Sequence, residues 1–227
     1  MDHRLSEEHE ALRVSVETFA RDVVAPQAEH SDRTGEFPYG VIRQMGDMGL
    51  FGLPFPEEYG GMGGDFLALC LAIEELARAD SSVAITLEAA VGLGSMPVYR
   101  FGTDEQRKEW LPSLCSGKAL AAFGLTEPGG GSDAGNPRTR AVLDGHEWVI
   151  NGTKAFITNS GTDITNLVTV LCRTGERADG KPELTSIMVP VPREGFTPSK
   201  KYDKVGWHAS DTRELSFKDC RVPESHV

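Results

Sequence analysis

Cysteine and positive charge are both in short supply in this chain, and each shortage closes off a class of function. Four cysteines in 227 residues, Cys70, Cys115, Cys172 and Cys220, stand without any CxxC spacing. That removes a disulfide framework and a zinc knuckle, and leaves buried free thiols in a reducing compartment as the expectation. Lys and Arg number 23 against 34 Asp and Glu, a formal charge of -11. A nucleic-acid or anionic-membrane surface is held by clustered cations, so neither partner is expected. An anionic ligand would need a local site of backbone N–H groups or a few selected cations. No apolar run approaches the roughly 20 residues of a bilayer crossing. The opening residues, Met1-Asp2-His3-Arg4 and then Glu7, Glu8 and Glu10, have neither the apolar core of a signal peptide nor the acid-poor character of a transit peptide, so the expected location is cytoplasmic.

Several catalytic signatures are missing as well. Gly124 to Gly135 is rich in glycine and follows a strand-like segment, but Asn136-Pro137 and further strand residues come next where a dinucleotide-binding turn would open a helix. There is no Gly-Lys-Ser/Thr phosphate loop, and Ala134 spoils a G-x-S-x-G elbow around Ser132. His9 has no second ligand at helical spacing, and neither HExxH nor the E-x-x-H of di-iron bundles occurs, so a solvated helix face is its expected place.

What is present divides into two halves of different period. Ser6 suits a helix N-cap, with Glu7 and Glu8 in the first turn and Leu12, Val16, Phe19 and Val23 at helical spacing until Pro26 ends or kinks the run. Further helices are expected over 41–48, over 65–79 with Asp65 as cap, over 82–92, and over 103–114 from a Thr103/Gln106 capping box. After Gly117 the period becomes that of strands, at 119–125, 138–143, 147–150, 154–158, 167–172, 184–191 and 214–217. Asp144-Gly145 and Asn151-Gly152 are hairpin signals, because both central positions of a type I′ turn favour positive φ. The expected fold is α+β and multidomain: an all-α domain over 1–117, then an antiparallel β-barrel or sandwich over 118–227.

The segment Leu125-Thr126-Glu127-Pro128-Gly129-Gly130-Gly131-Ser132-Asp133 resembles the first signature of the acyl-CoA dehydrogenase family. Trp148-Val149-Ile150-Asn151-Gly152-Thr153-Lys154-Ala155-Phe156-Ile157-Thr158-Asn159 resembles the family's flavin-facing hairpin. Gly206-Trp207-His208-Ala209-Ser210-Asp211-Thr212-Arg213 and Phe217-Lys218-Asp219-Cys220-Arg221-Val222-Pro223 resemble later strands of its middle domain. Upstream, Phe55-Pro56-Glu57-Glu58-Tyr59-Gly60-Gly61, Glu74-Glu75-Leu76-Ala77-Arg78 and Phe101-Gly102-Thr103-Asp104-Glu105-Gln106 are similar to its helical domain. Asn136 and Phe156 depart from the usual pattern, where a small residue and often Trp stand.

The resemblance implies an FAD-dependent enzyme that desaturates acyl-CoA thioesters between the α and β carbons and passes electrons to an electron-transferring flavoprotein. It implies a cofactor site of Phe123, Leu125, Thr126, Gly131, Ser132, Phe156, Ile157 and Thr158, with Thr126 on the pyrimidine edge, Thr158 at N5 and Phe156 beside the ring. Gly131 and Ser132 meet the pyrophosphate, Ser132 also serves the thioester's pantetheine arm, and Leu87 and Val91 wall the acyl group. Leu87, Ala90, Val91, Leu93 and Met96 are apolar and of medium size, which favours a short to medium or branched acyl chain. Glu127 and Asp133 are expected to be structural, since the family's base lies in a C-terminal helical bundle, and the chain ends before that bundle. Full-length members form homo-oligomers, tetramers among them, so self-association is expected, and the 227 residues alone are expected to be inactive. Two competing readings stand beside this one: a non-catalytic flavin- or acyl-CoA-binding or assembly subunit of a heteromeric dehydrogenase, and an oxidase of the same superfamily.

Overall fold

The computed structural model describes residues 4–227. They form two compact units, Met1–Ala119 with Asp203–Ser210, and Leu120–Tyr202 with Asp211–Val227.

The first unit is helical. Helix α1, Glu7–Phe19, starts where the Ser6 side chain accepts from the His9 N–H. It does not stop at Pro26. A π-helical turn, Ala20–Val24, carries the chain into α2, Ala25–Thr34. Proline lacks an N–H and its ring crowds the carbonyl four residues back, and a widened turn just before it absorbs both defects. The same device recurs downstream: α5, Ser81–Glu88, runs through a π-helical turn, Ala89–Ser95, into α6, Met96–Phe101, with Pro97 in the first turn of α6. The resulting Ser81–Phe101 helix is long and apolar enough to cross a membrane, contrary to the expectation from the sequence, but 61% of its most apolar 18-residue stretch is buried within the protein, as in a core helix. Between them lie α3, Tyr39–Asp47, and α4, Phe66–Ala79, the latter capped by Asp65. Helix α7, Asp104–Cys115, opens with the complete Thr103/Gln106 capping box. Polar contacts stitch α1 to α4: His9 Nε2 lies 3.1 Å from Asp65 Oδ1, and Arg13 donates to the buried Glu75 at 3.2 Å. His9 is thus a capping partner on a helix face. The segment Asp203–Ser210 is fastened in this unit through Trp207 Nε1 to Ser81 Oγ at 2.9 Å and His208 Nδ1 to Asp32 Oδ1 at 2.7 Å.

The second unit is a curled mixed sheet. Its strands are β1 Leu120–Gly124, β2 Arg140–Asp144, β3 Glu147–Thr158, β4 Thr165–Glu176, β5 Pro182–Pro190, β6 Phe196–Pro198 and β7 Thr212–Pro223. The order is β1-β4-β2-β3-β7-β6, with β5 beside β4. Most pairs are antiparallel, while β1 and β2 run parallel to β4. Its core gathers Ala122, Ile150, Ile157, Val168, Val170, Ile187, Val189, Leu215, Phe217 and Val222 with Cys172 and Cys220. Three of the four cysteines are buried and Cys70 is exposed, and none is in a disulfide.

The two hairpin signals resolve differently. Asp144 pairs with Glu147, so the two-residue turn is Gly145-His146, one position later than expected, with φ +63° at Gly145. Asn151-Gly152 is no hairpin: both lie inside β3, where the register against β7 slips between Ile150 and Gly152. A bulge needs an unusual backbone angle just as a turn does, and the two share a sequence signature. Asn151 serves it by exchanging hydrogen bonds with Asp219 across the strands, at 3.1 and 2.9 Å.

Candidate functional site

Strand β1 ends at Gly124, and the glycine-rich loop leaves through Leu125 and Thr126 and returns at Arg138 and Thr139 ahead of β2. Both β1 and β2 lie along the edge of β4 that β5 does not occupy, so the loop arches between two strands placed in tandem. Glu127 joins its two feet. Its Oε2 accepts from Arg138 N at 2.7 Å, and its Oε1 accepts from Thr139 N and from Lys154 Nζ, each at 2.9 Å. Lys154, wholly buried on β3, also donates to the Leu125 carbonyl at 3.1 Å. Burial alone would push the Glu127 carboxyl up, but Lys154 and the N–H groups of Thr139 and Arg138 outweigh it and hold the carboxyl down at about 2. A carboxylate so engaged is a poor proton acceptor, which fits a strand-exit role. Asp133 is different. Its side chain is exposed and makes no hydrogen bond to a described residue, and only its carbonyl accepts, from Asn136 N at 3.2 Å. The loop is tightened instead by Glu127 and Gly130, whose backbones exchange hydrogen bonds at 3.0 and 3.1 Å.

The other half of the site is the end of β3. The register against β7 slips again between Lys154 and Ile157, and Phe156 takes φ +61°. Its ring turns outward, 66% exposed, and stacks on Tyr202 with centroids 5.1 Å apart and planes 30° from parallel. Ile157 turns inward into the core, so only its main chain can meet a ligand. Thr158 follows, half-buried and paired with Thr212. Beyond it the chain is pinned by buried Asp211, which accepts from Gly161 N at 2.9 Å and from Arg213 Nε at 2.7 Å.

Ala155 N donates to the Thr126 carbonyl at 2.8 Å and so sets the two segments side by side. Phe123 sits on β1, paired with Thr169, and Leu125 follows at the strand exit. Gly131 folds back over Thr126 so closely that a Cβ there would lie 3.4 Å from Thr126 Cγ2. The hydroxyls of Thr126, Ser132 and Thr158 make no hydrogen bond to any described residue. Free hydroxyls on two segments held side by side, with an exposed aromatic ring on one and three successive glycines on the other, fit a flat heteroaromatic group with a polar edge and a phosphate-bearing tail. FAD is such a group, and the residues present fit it. Leu87 and Val91 belong to the helical unit, where both are fully buried at 0% exposure.

Lys154, Tyr202, Asp211 and Arg213 are neighbours of these segments that sequence reasoning missed. A lysine followed by Ala155, Phe156 and Ile157 in a strand is a signal of burial, but no spacing rule ties it to Glu127.

The profile of the acyl-CoA dehydrogenase N-terminal domain matches residues 6–118, and that of the acyl-CoA dehydrogenase middle domain matches residues 122–220. A probable acyl-CoA dehydrogenase of Bacillus subtilis is 46% identical over 227 residues, all of this chain and 59% of the relative. Butyryl-CoA dehydrogenase from Megasphaera elsdenii superposes with a TM-score of 0.93 at 37% identity, over all of this chain and 59% of that one. An acyl-CoA dehydrogenase from Bacillus anthracis, solved in complex with FAD, gives 0.90 at 36% identity over 100% of this chain and 38% of that one. The chain spans little more than half the length of the curated relatives it matches.

Proposed function

The chain belongs to the acyl-CoA dehydrogenase family, and from that premise we propose that it carries the flavin-holding surface of an enzyme that desaturates acyl-CoA thioesters at the α,β bond. The observation that supports this most directly is that the hydroxyls of Thr126, Ser132 and Thr158, without a hydrogen-bond partner among the described residues, stand on two segments that the Ala155–Thr126 backbone bond holds side by side. Bound there, FAD supplies a two-electron acceptor for hydride. The chain's own residues do the rest of the holding. Thr126 and Thr158 donate hydrogen bonds to the polar edge, and the Phe156 ring covers one side and keeps water from it. Gly131 and Ser132 offer a close backbone approach and a hydroxyl to the anionic tail. Ile157 contributes its main chain while its side chain anchors β3 in the core.

The proton on the α carbon needs a base, and the two carboxylates of the glycine-rich loop do not suit the task. Glu127 is held ionised by buried donors, and Asp133 is exposed with no side-chain partner among the described residues to orient it. In our reading the general base comes from outside these residues, as the resemblance to the family implies. An electron-transferring flavoprotein takes the electrons, and the working assembly is a homo-oligomer. The likeness to a butyryl-CoA dehydrogenase supports a short to medium acyl chain.

Anaerobic mixing of the 227-residue chain with FAD and a panel of acyl-CoA thioesters tests the proposal. We expect a perturbed flavin spectrum on binding, and bleaching slowed by roughly 10² to 10⁴ relative to a complete enzyme for want of the base. Fast bleaching would place the base within these residues; an unperturbed flavin spectrum would remove the proposed surface.

A further inference from the structure

The fold of the glycine-rich loop rests on a buried ion pair that has no place in the chemistry. Lys154 is 0% exposed and Glu127 8%. Between them they reach three stretches of chain far apart in sequence. Lys154 Nζ holds the Leu125 carbonyl at 3.1 Å on the residue before Thr126, and Glu127 is the residue after it. Glu127 holds Arg138 N and Thr139 N at 2.7 and 2.9 Å, where the loop comes back. Thr126 itself is fixed through its carbonyl by Ala155 N at 2.8 Å, next along β3 from Lys154. Apart from the Glu127–Gly130 backbone pair, the hydrogen bonds that hold Leu125, Thr126 and Glu127 thus pass through the ion pair or its neighbour Ala155, while the Thr126 hydroxyl is left free among the described residues.

Burying a charged pair is costly, and an apolar pair of similar size packs at least as well, so stability alone is a weak reason for it. A lysine does what an apolar residue cannot: it binds a carbonyl and a carboxylate at once, and so sets the direction in which the strand exits. We infer that Lys154 is a positioning residue for the cofactor, clasping Leu125 and Glu127 so that Thr126 and the Gly131–Ser132 backbone are presented to the flavin in one fixed arrangement. This deepens the proposed flavin role and rests on it for its ligand, though not for the clasp.

Two variants of the full chain test it, Lys154→Met and the double variant Glu127→Leu/Lys154→Met. The single variant leaves a buried carboxylate without its cation and should melt lowest. The double variant removes both charges and should regain most of the lost melting temperature. If the pair only stabilised the fold, the double variant would also regain FAD binding. If it positions Thr126, FAD stays bound at least tenfold more weakly, with a shifted visible absorption band, although the fold is restored. A double variant with wild-type affinity and spectrum overturns the inference.

Should the wild-type chain itself leave FAD unperturbed, the flavin proposal fails, and the clasp is judged on wild-type amide exchange. The Arg138 and Thr139 amides, both bonded to Glu127, should exchange at least tenfold more slowly than those of Gly131 and Ser132. Equal rates at all four overturn the clasp whether or not either variant folds.

Discussion

Replacing Gly152 by alanine puts a methyl group where β3 passes nearest the returning foot of the glycine-rich loop. A Cβ there would lie 2.5 Å from Thr139 Oγ1, 2.6 Å from Thr139 Cα and 2.7 Å from Thr139 Cβ. The clash with the Thr139 backbone decides the outcome, because a main-chain atom cannot rotate away as a side chain can. Overpacking of this kind costs about 1 to 3 kcal/mol. Gly152 also sits at φ +151°, a backbone angle that side chains rarely adopt, and holding a residue in such a region adds about 1 to 3 kcal/mol. The total of about 2 to 6 kcal/mol is a large share of the roughly 5 to 15 typical of a whole protein. Gly145 is the internal control. It too has positive φ, at +63°, but a Cβ there meets nothing within 4 Å, so Gly145→Ala should cost only the left-handed backbone penalty of about 1 to 2 kcal/mol. Urea unfolding of the two variants, followed by circular dichroism, measures the difference. Equal midpoints would refute the claim that β3 and Thr139 are tightly packed at the bulge. A Gly152→Ala chain that folds with Thr139 displaced should also loosen the Arg138 and Thr139 amides, since both answer to Glu127.

Three further outcomes follow from the same structure. Glu127 is held at about 2 against an ordinary 4.5, so its ionisation supports folding by about 3 kcal/mol above pH 4.5, a contribution lost as pH falls from there towards 2; acid unfolding of Glu127→Gln, compared with wild type, should lack that component, and identical acid limbs would contradict it. Thr103→Ala removes the acceptor for Gln106 N, at 3.2 Å, from a capping box whose other half, Thr103 N to Gln106 Oε1, spans 2.7 Å; it should cost about 1 kcal/mol in urea, and no change would mean the cap is idle. Thr158→Val deletes one hydroxyl at nearly constant volume and should weaken FAD by about 1 kcal/mol, roughly fivefold, with a changed flavin spectrum; an unchanged spectrum would remove Thr158 from the site.

Much of the fold is legible in the sequence. Caps declare themselves locally: Ser6, Asp65 and the Thr103/Gln106 box stand where the helices begin, because a cap is decided within four residues. Of the two outcomes expected at Pro26, an end or a kink, the end does not occur, because the rule that proline ends a helix concerns regular α geometry and the π-helical turn at Ala20–Val24 escapes it. Asn151-Gly152 misleads for the opposite reason, since a turn and a bulge make the same request of a glycine, and only the partner strand tells them apart. The residues grouped at the end of β3, Phe156 to Thr158, are legible only through their resemblance to a motif. Their different fates, Phe156 outward and Ile157 in the core, are those of successive residues on a strand, but the register slip against β7 between Lys154 and Ile157 is set by the partner strand and no single strand encodes it. Lys154 escapes notice because its partner lies 27 residues away, and Asp211 and Arg213 because they act through the turn after Thr158. Long-range polar ties of this kind leave no periodic trace.

The most direct test of the central claim is equilibrium titration of the 227-residue chain with FAD, followed by flavin absorbance and fluorescence, alongside a Thr126→Val/Thr158→Val variant shown by circular dichroism to be folded. The account predicts saturable binding with a perturbed spectrum, weakened roughly tenfold or more in the variant. A wild-type chain that leaves the FAD spectrum unchanged at saturating protein, or a variant that binds as wild type does, would contradict it.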